Sequence, residues 1–277
     1  SNAFYTVGRI KNLKTKLMPP SQNYPHPPMQ KAFNRYLKVF CMVALLCPMS
    51  FAYAEIHGTV TGTTNYVWRM YSKSNDGPAI QGNLDYQHSS GVFLGATASN
   101  VNYPPSEQVP DIVFSGSAQV EVAPYVGFTF KPADDWRVDL QYSRYFYDSK
   151  FYELKADYNE FYFFLHYKGL LTIQTSYIDD YYGLKSDALF TDLTARYPIT
   201  DFLEASGTFG HALTRSALET NYYYWNAGLT ARYKFVELDL RYHAAKEIHF
   251  LTDGEDLSPD HPGTIKPTVV FSLSVGF

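Results

Sequence analysis

The chain has 277 residues, 17% of them aromatic, with Tyr 25 and Phe 20, a slightly negative mean hydropathy and a formal charge of −4. All 27 acidic residues lie after Ala54, where the seven basic residues upstream leave 16 of 23, so residues 55–277 carry −11. That bias argues against nucleic-acid binding, and the lack of any apolar run of about eighteen residues after Ala54 excludes a helical membrane protein.

In chain order, residues 1–28 open with Ser1-Asn2-Ala3, are rich in proline, and read as an unstructured, tag-like upstream segment. Residues 29–54 then read as a secretory signal peptide. Lys31, Arg35 and Lys38 precede the apolar run Val39 to Cys47, and Ala52-Tyr53-Ala54 supplies a small-residue cleavage site. Both cysteines, Cys41 and Cys47, fall inside it, so residues 55–277 have no thiol for a disulfide or a metal. That stretch is expected to be one domain.

Twelve strands are predicted, near 58–71, 78–89, 91–101, 116–130, 136–147, 157–167, 169–178, 187–197, 202–211, 222–233, 235–245 and 267–277. The connections alternate. Tight ones, such as Ser89-Ser90-Gly91, Lys168-Gly169 and Lys234, carry the residues turns need, whereas 72–77, 102–115, 148–156, 179–186, 212–221 and 246–266 are longer. Side chains switch faces at each residue, so the last strand places Val269, Phe271, Leu273, Val275 and Phe277 on one face and Thr268, Ser272 and Ser274 on the other. Tyr66, Trp68, Trp136, Tyr142, Tyr167, Tyr197, Trp225 and Tyr233 fall on the apolar face, many near strand ends. The pattern fits an all-β, transmembrane, antiparallel up-and-down barrel of about 12 strands with both termini periplasmic, in the bacterial outer membrane. Partners follow from that placement: outer-membrane lipid, lipopolysaccharide and the barrel assembly machinery.

The polar face carries Asp85, Glu121, Asp139, Glu160, Asp192, Glu204, Glu237 and Asp239, with Arg69, Arg137, Arg196, Arg232 and Arg241 as its cations and His166 and His243 beside them. Arginine is suited to this role because its fork binds two carboxylates and stays charged in a poorly hydrated lumen. A rigidifying ion-pair network is the stronger reading, since unpaired interior charge is costly. The sharper one is a charged passage, narrowed by an inward-folding 102–115 loop, whose acid excess favours cationic or neutral solutes. Arg69 and Asp85 are expected to pair across neighbouring strands.

No cofactor or metal is expected. Asp253, Glu255, Asp256 and Asp260 crowd the last long loop without the spacing of a Ca²⁺ loop. His88-Ser89-Ser90 is the one local His/Ser cluster, but it sits on a predicted turn with its side chains expected to point apart. An enzyme is therefore not expected, and a lipid hydrolase ranks behind a narrow channel and a plugged structural or adhesive barrel.

Tyr66-Val67, Arg69, Ser72, Pro78-Ala79, Gln81-Gly82, Asp85-Tyr86, His88, Ser90-Gly91, Gly95, Ser99-Asn100-Val101 and the later Asp157-Tyr158-Asn159-Glu160 resemble the Gcw_chp family of proteobacterial proteins. The resemblance implies an outer-membrane barrel without implying an activity. This chain departs from the pattern at Met70, where the family usually has Gly, and at Thr97, where Trp is common.

Overall fold

The computed structural model describes residues 55–103, 118–149, 155–218, 220–248 and 266–277. Twelve strands form a closed antiparallel barrel: β1 (Glu55–Thr63), β4 (Ala79–Gln87), β5 (Val92–Asn100), β6 (Val120–Ala133), β7 (Trp136–Tyr147), β8 (Tyr158–Tyr167), β9 (Leu171–Ile178), β10 (Ala188–Pro198), β11 (Leu203–Leu213), β12 (Asn221–Tyr233), β13 (Val236–Ile248) and β14 (Thr268–Gly276). Two short strands, β2 (Val67–Trp68) and β3 (Tyr71–Ser72), form a separate hairpin. Each wall strand pairs with its sequence neighbours, and β1 closes the ring on β14 with Thr59 opposite Gly276. Closure removes the open edges that neither lipid nor water can satisfy safely.

The alternation dictates which face points outward. Ile80, Leu84, Leu94, Val126, Phe163, Ile173, Leu193, Leu229, Leu240, Phe271 and Leu273 are all exposed on the outer wall, an apolar band of the kind a membrane-spanning barrel presents. Trp136, Tyr197, Tyr233, Phe202, Phe235 and Phe277 are exposed at the tight-turn end, where an aromatic girdle belongs. Trp136 packs against Tyr167 with ring centroids 4.7 Å apart.

The tight turns use left-handed residues at Gly91 (φ 93), Lys168 (φ 50), Gly169 (φ 70) and Lys234 (φ 54), which lets two strands reverse within a few residues. Glu55 pairs with Gln87 just before one such turn, and Gly58 and Phe277 exchange backbone hydrogen bonds of 2.9 Å. Both described ends of the barrel therefore lie at the tight-turn rim. The Phe277 ring covers Gly58, where any Cβ would collide with it.

Eleven of the predicted strands correspond to wall strands, with ends that shift by a few residues; the fourth wall strand is displaced most, as β6 runs Val120–Ala133 and carries a register shift between Phe130 and Ala133. The first strand is a correction. It stops at Thr63, and residues 64–78 leave the wall, because Arg69 (φ 48) and Met70 (φ 69) reverse the chain in left-handed conformations. Tyr66 and Trp68 therefore belong to an inserted segment and are no part of the outer girdle. The predicted inward loop 102–115 and the acidic group Asp253, Glu255, Asp256 and Asp260 lie almost wholly or wholly outside the described residues.

Candidate functional site

Segment 64–78 departs from Thr63 and returns at Ala79, which is Thr63's own cross-strand partner. Between these points the β2–β3 hairpin enters the lumen. Its base is fixed by short bonds: Ser72 Oγ donates to Asn65 Oδ1 (2.6 Å), Asn65 Nδ2 to Asp76 Oδ1 (2.9 Å) and Ser74 Oγ to the Gly77 carbonyl (2.6 Å). At its tip Arg69 Nη2 donates to Glu160 Oε1 (2.5 Å) on β8 and to Ser176 Oγ (2.7 Å) on β9. β9 is six strands from β1 in either direction around the ring. The hairpin thus crosses the full bore.

Two further walls hold it. Tyr222 on β12 donates its hydroxyl to the Arg69 carbonyl (3.1 Å). On β6, Glu121 accepts from Lys73 Nζ (2.6 Å), Tyr66 OH (2.9 Å) and Tyr147 OH (2.5 Å). Arg69 lies over the Phe190 ring at 3.9 Å, and Lys73 sits about 5 Å from the Tyr66, Trp68 and Tyr145 rings. Lys73, Glu121 and Glu160 are 1%, 2% and 0% exposed, so this half of the lumen is filled. Tyr145, Tyr158, Tyr182, Phe190 and Tyr222 complete the packing, with Tyr162 bonded to Tyr145 through their hydroxyls.

The two cations and two carboxylates balance, which is what makes their burial tolerable. Burial is the largest single influence and would lower the Lys73 ammonium, but Glu121, by charge and hydrogen bond, together with Tyr182 and Glu160 outweighs it and raises its pKa above the ordinary lysine value. The same opposition, with Glu160 as the partner, holds Arg69 well above its ordinary value. A raised pKa means that the stabilisation is complete below the ordinary value and is lost only as pH rises through the raised one. Physiological alkalinity therefore leaves both cations charged. Arg69 Nη1 and Glu160 Oε2 find no hydrogen-bond partner among the described residues, so the pair is one-pronged where a two-pronged fork would hold more firmly.

The tight-turn half is polar and less filled. Thr61 and Ser274 share a bond of 2.8 Å, as do Thr194 and Thr208. Arg241 grips Asp239 with two nitrogens (3.1 and 2.8 Å) and reaches Asn226 and Ser206, both at 2.9 Å. Arg232 donates to Glu237 (2.7 Å) and lies 3.5 Å from Glu204. Asp139 accepts from Thr129 and lies 3.0 Å from His166 Nε2 and 3.3 Å from Arg137 Nε. Arg196 donates to Thr172 Oγ1 (2.9 Å), whereas Asp192, which accepts from Tyr224 OH (2.5 Å), lies at the border with the filled half.

Most of the charged residues read from the sequence are thus brought into the bore, but not as one network. Glu121, Glu160 and Arg69 belong to the hairpin latch, Asp192 lies buried beside it through Tyr224, and the others form separate clusters nearer the tight turns. The expected Arg69–Asp85 pair is a correction: Arg69 reaches the far wall, while Asp85 faces His57 Nδ1 (3.5 Å) and Asn83 Nδ2 (3.1 Å). It failed because it placed Arg69 on the first wall strand. The all-arginine set of interior cations is also corrected, since Lys73 is buried within the latch. Its signal lay in the turn at Met70, a left-handed position where the family's glycine sits without strain. Finally, the side chains of His88 and Ser90 do not point apart: Nδ1 and Oγ lie 2.8 Å from each other, and the Ser90 and Val92 amides join them in a turn motif.

No curated protein matches the chain. Among solved structures, the KdgM porin aligns with a TM-score of 0.46 at 7% identity, over 80% of this chain and 98% of its own. The COG4313 outer membrane channel from Pseudomonas putida F1 aligns at 0.43 and 9%, over 82% and 96%. DcaP of Acinetobacter baumannii, also an outer membrane channel, aligns at 0.36 and 12%, over 79% and 72%. The Gcw_chp family, described as a bacterial protein of unknown function, matches residues 51–253, and the chain belongs to that family.

Proposed function

We propose that this protein is an outer-membrane channel for small polar solutes, closed at its long-loop end by its own hairpin. One observation carries this reading: the β2–β3 hairpin, rooted between β1 and β4, spans the bore and is pinned to β8 on the far side by Arg69–Glu160 and to β6 by Lys73–Glu121. A lumen lined with threonine, serine and paired charges on the other side suits water and polar solutes far better than a packed apolar core would. The apolar outer band and aromatic rim support the membrane placement, and the tight-turn rim with both described ends is the periplasmic one in this reading. Lipopolysaccharide and the barrel assembly machinery are the partners such a barrel meets. The preference for cationic or neutral solutes rests on the interior acid excess, which Lys73 narrows.

Membrane residence is tested first. The protein is expected in the outer-membrane fraction, with heat-modifiable migration in mild detergent gels. Purification as a soluble monomer without detergent would defeat the reading. Planar-bilayer recordings then test the gate. The parent protein is expected to conduct rarely, and a folded variant with residues 65–76 replaced by a Gly/Ser linker to conduct in steady steps. Reversal potentials in a salt gradient on that variant report its ion preference. If the variant is as silent as the parent, the barrel is a plugged structural protein of the surface, which the same buried ion pairs would equally serve.

A further inference from the structure

A cleft of about 320 Å³ opens at the tight-turn rim, lined by Lys131, Arg137, His166, Lys168, Thr172 and Arg196 together with Asp134 and Asp135. Five consecutive wall strands, β6 to β10, supply it. Arg137 stands opposite His166, and His166 opposite Thr172, so these side chains form one row across the inner wall. Lys168 is neutralised by Asp135 at 3.4 Å, and Arg137 shares Asp139 with His166. Among the described residues, no carboxylate lies within ion-pair distance of Arg196 or Lys131. That distinguishes them from Arg232 and Arg241, which are also inward-facing but have acids of their own.

Arg196 is held in place without being neutralised. Its Nη1 donates to Thr172 Oγ1 (2.9 Å), a side chain that is itself buried. The Thr172 hydroxyl that accepts that bond also lies 3.0 Å from His166 Nδ1, to which it can donate its own proton. His166 Nε2 then donates to Asp139 Oδ2 (3.0 Å). With His166 as the neutral Nε2–H tautomer, the row is a relay of four side chains. At its end stands a guanidinium with most of its five donors unspent. A preoriented, uncompensated arginine beside a second arginine and a lysine is suited to clasping two oxygens of one anion.

We propose that this cleft binds a small free oxyanion, a phosphate or a carboxylate, clasped by Arg196 and Arg137 with Lys131 alongside. The arginines and His166 belong to the inner face of the wall, so the anion comes from the aqueous lumen and not from a lipid headgroup. The inference stands apart from the gate, because the cleft lies at the rim opposite the hairpin's entry and can be occupied whether or not the bore conducts.

Calorimetric titration with inorganic phosphate, on the intact purified barrel in phospholipid-free detergent, tests it. Saturable binding is expected, weakened roughly tenfold by Arg196→Gln. Arg137→Gln is expected to weaken it comparably, whereas Arg232→Gln should stay within about twofold of the parent because that arginine lies outside the cleft and is paired with Glu204 and Glu237. Thr172→Val separates positioning from charge: it keeps every cation yet should still loosen binding, and its folding is checked by heat-modifiable migration. Absence of saturable binding, equal weakening by Arg232→Gln, or binding confined to phosphatidylglycerol vesicles would each overturn the proposal. Should Arg137→Gln fail to fold, Arg196→Gln and Lys131→Gln decide it.

Discussion

Glu160→Leu, made while Arg69 remains, is expected to destabilise the folded barrel by about 3–5 kcal/mol, the cost of leaving a buried charge unpaired. Glu160 is fully buried, and Arg69 has no second carboxylate within ion-pair distance among the described residues. The double replacement Arg69→Met with Glu160→Leu removes both charges and both desolvation penalties, and most of the loss should be recovered. Denaturant unfolding in lipid vesicles measures both. Trp68 gives a local reading as well, since its ring lies 4.8 Å from the Arg69 guanidinium and its emission should shift if the hairpin withdraws. Equal losses in the single and double variants would mean that the hairpin is held by its aromatic contacts and that the ion pair is incidental.

The second large effect concerns the outer wall. Leu229 and Leu240 are cross-strand partners, and both are about half exposed on the outer face. Arginine at either position should cost about 2–4 kcal/mol near the bilayer midplane. Asp239→Asn, one residue away but facing Arg241 and Thr230 in the lumen, should cost far less because it keeps oxygen and nitrogen atoms for both neighbours. Assembly yield and heat-modifiable migration compare the three. Similar tolerance at Leu240 and Asp239 would show that the two faces had been exchanged.

The wall was legible because a barrel writes itself locally. Each strand's alternation and each turn's Gly, Pro or Lys is visible within about ten residues, and eleven of the twelve segments needed nothing more. Tyr66-Val67-Trp68 defeated that reasoning, since its alternation is as good on a lumenal hairpin as on a wall strand. Period two says that a strand forms without saying what it pairs with. The latch was half legible for the same reason: Glu121 and Glu160 follow from strand parity, but their partners depend on where residues 64–78 go. A reversal built from Arg69 and Met70 lacks the Asn-Gly or Gly-Gly signature that would have announced it. Arg196 was found by parity, whereas its lack of a counter-ion appeared only once its neighbours had been placed.

The hairpin lies between the first wall strand and the second, yet everything it grips is made much later in the chain. Arg69 is separated by 91 residues from Glu160, 107 from Ser176 and 153 from Tyr222. Contacts of such separation form late, because the intervening chain must be ordered before they repay the entropy of closing it. The two basic side chains must therefore stay hydrated while β4 to β9 are laid down, and they shed water only as the curling sheet brings Glu121 and Glu160 around them. Assembly then has a built-in order: the cylinder is wound about a core that it carries from its first turn, and the last strand to join seals the filling inside.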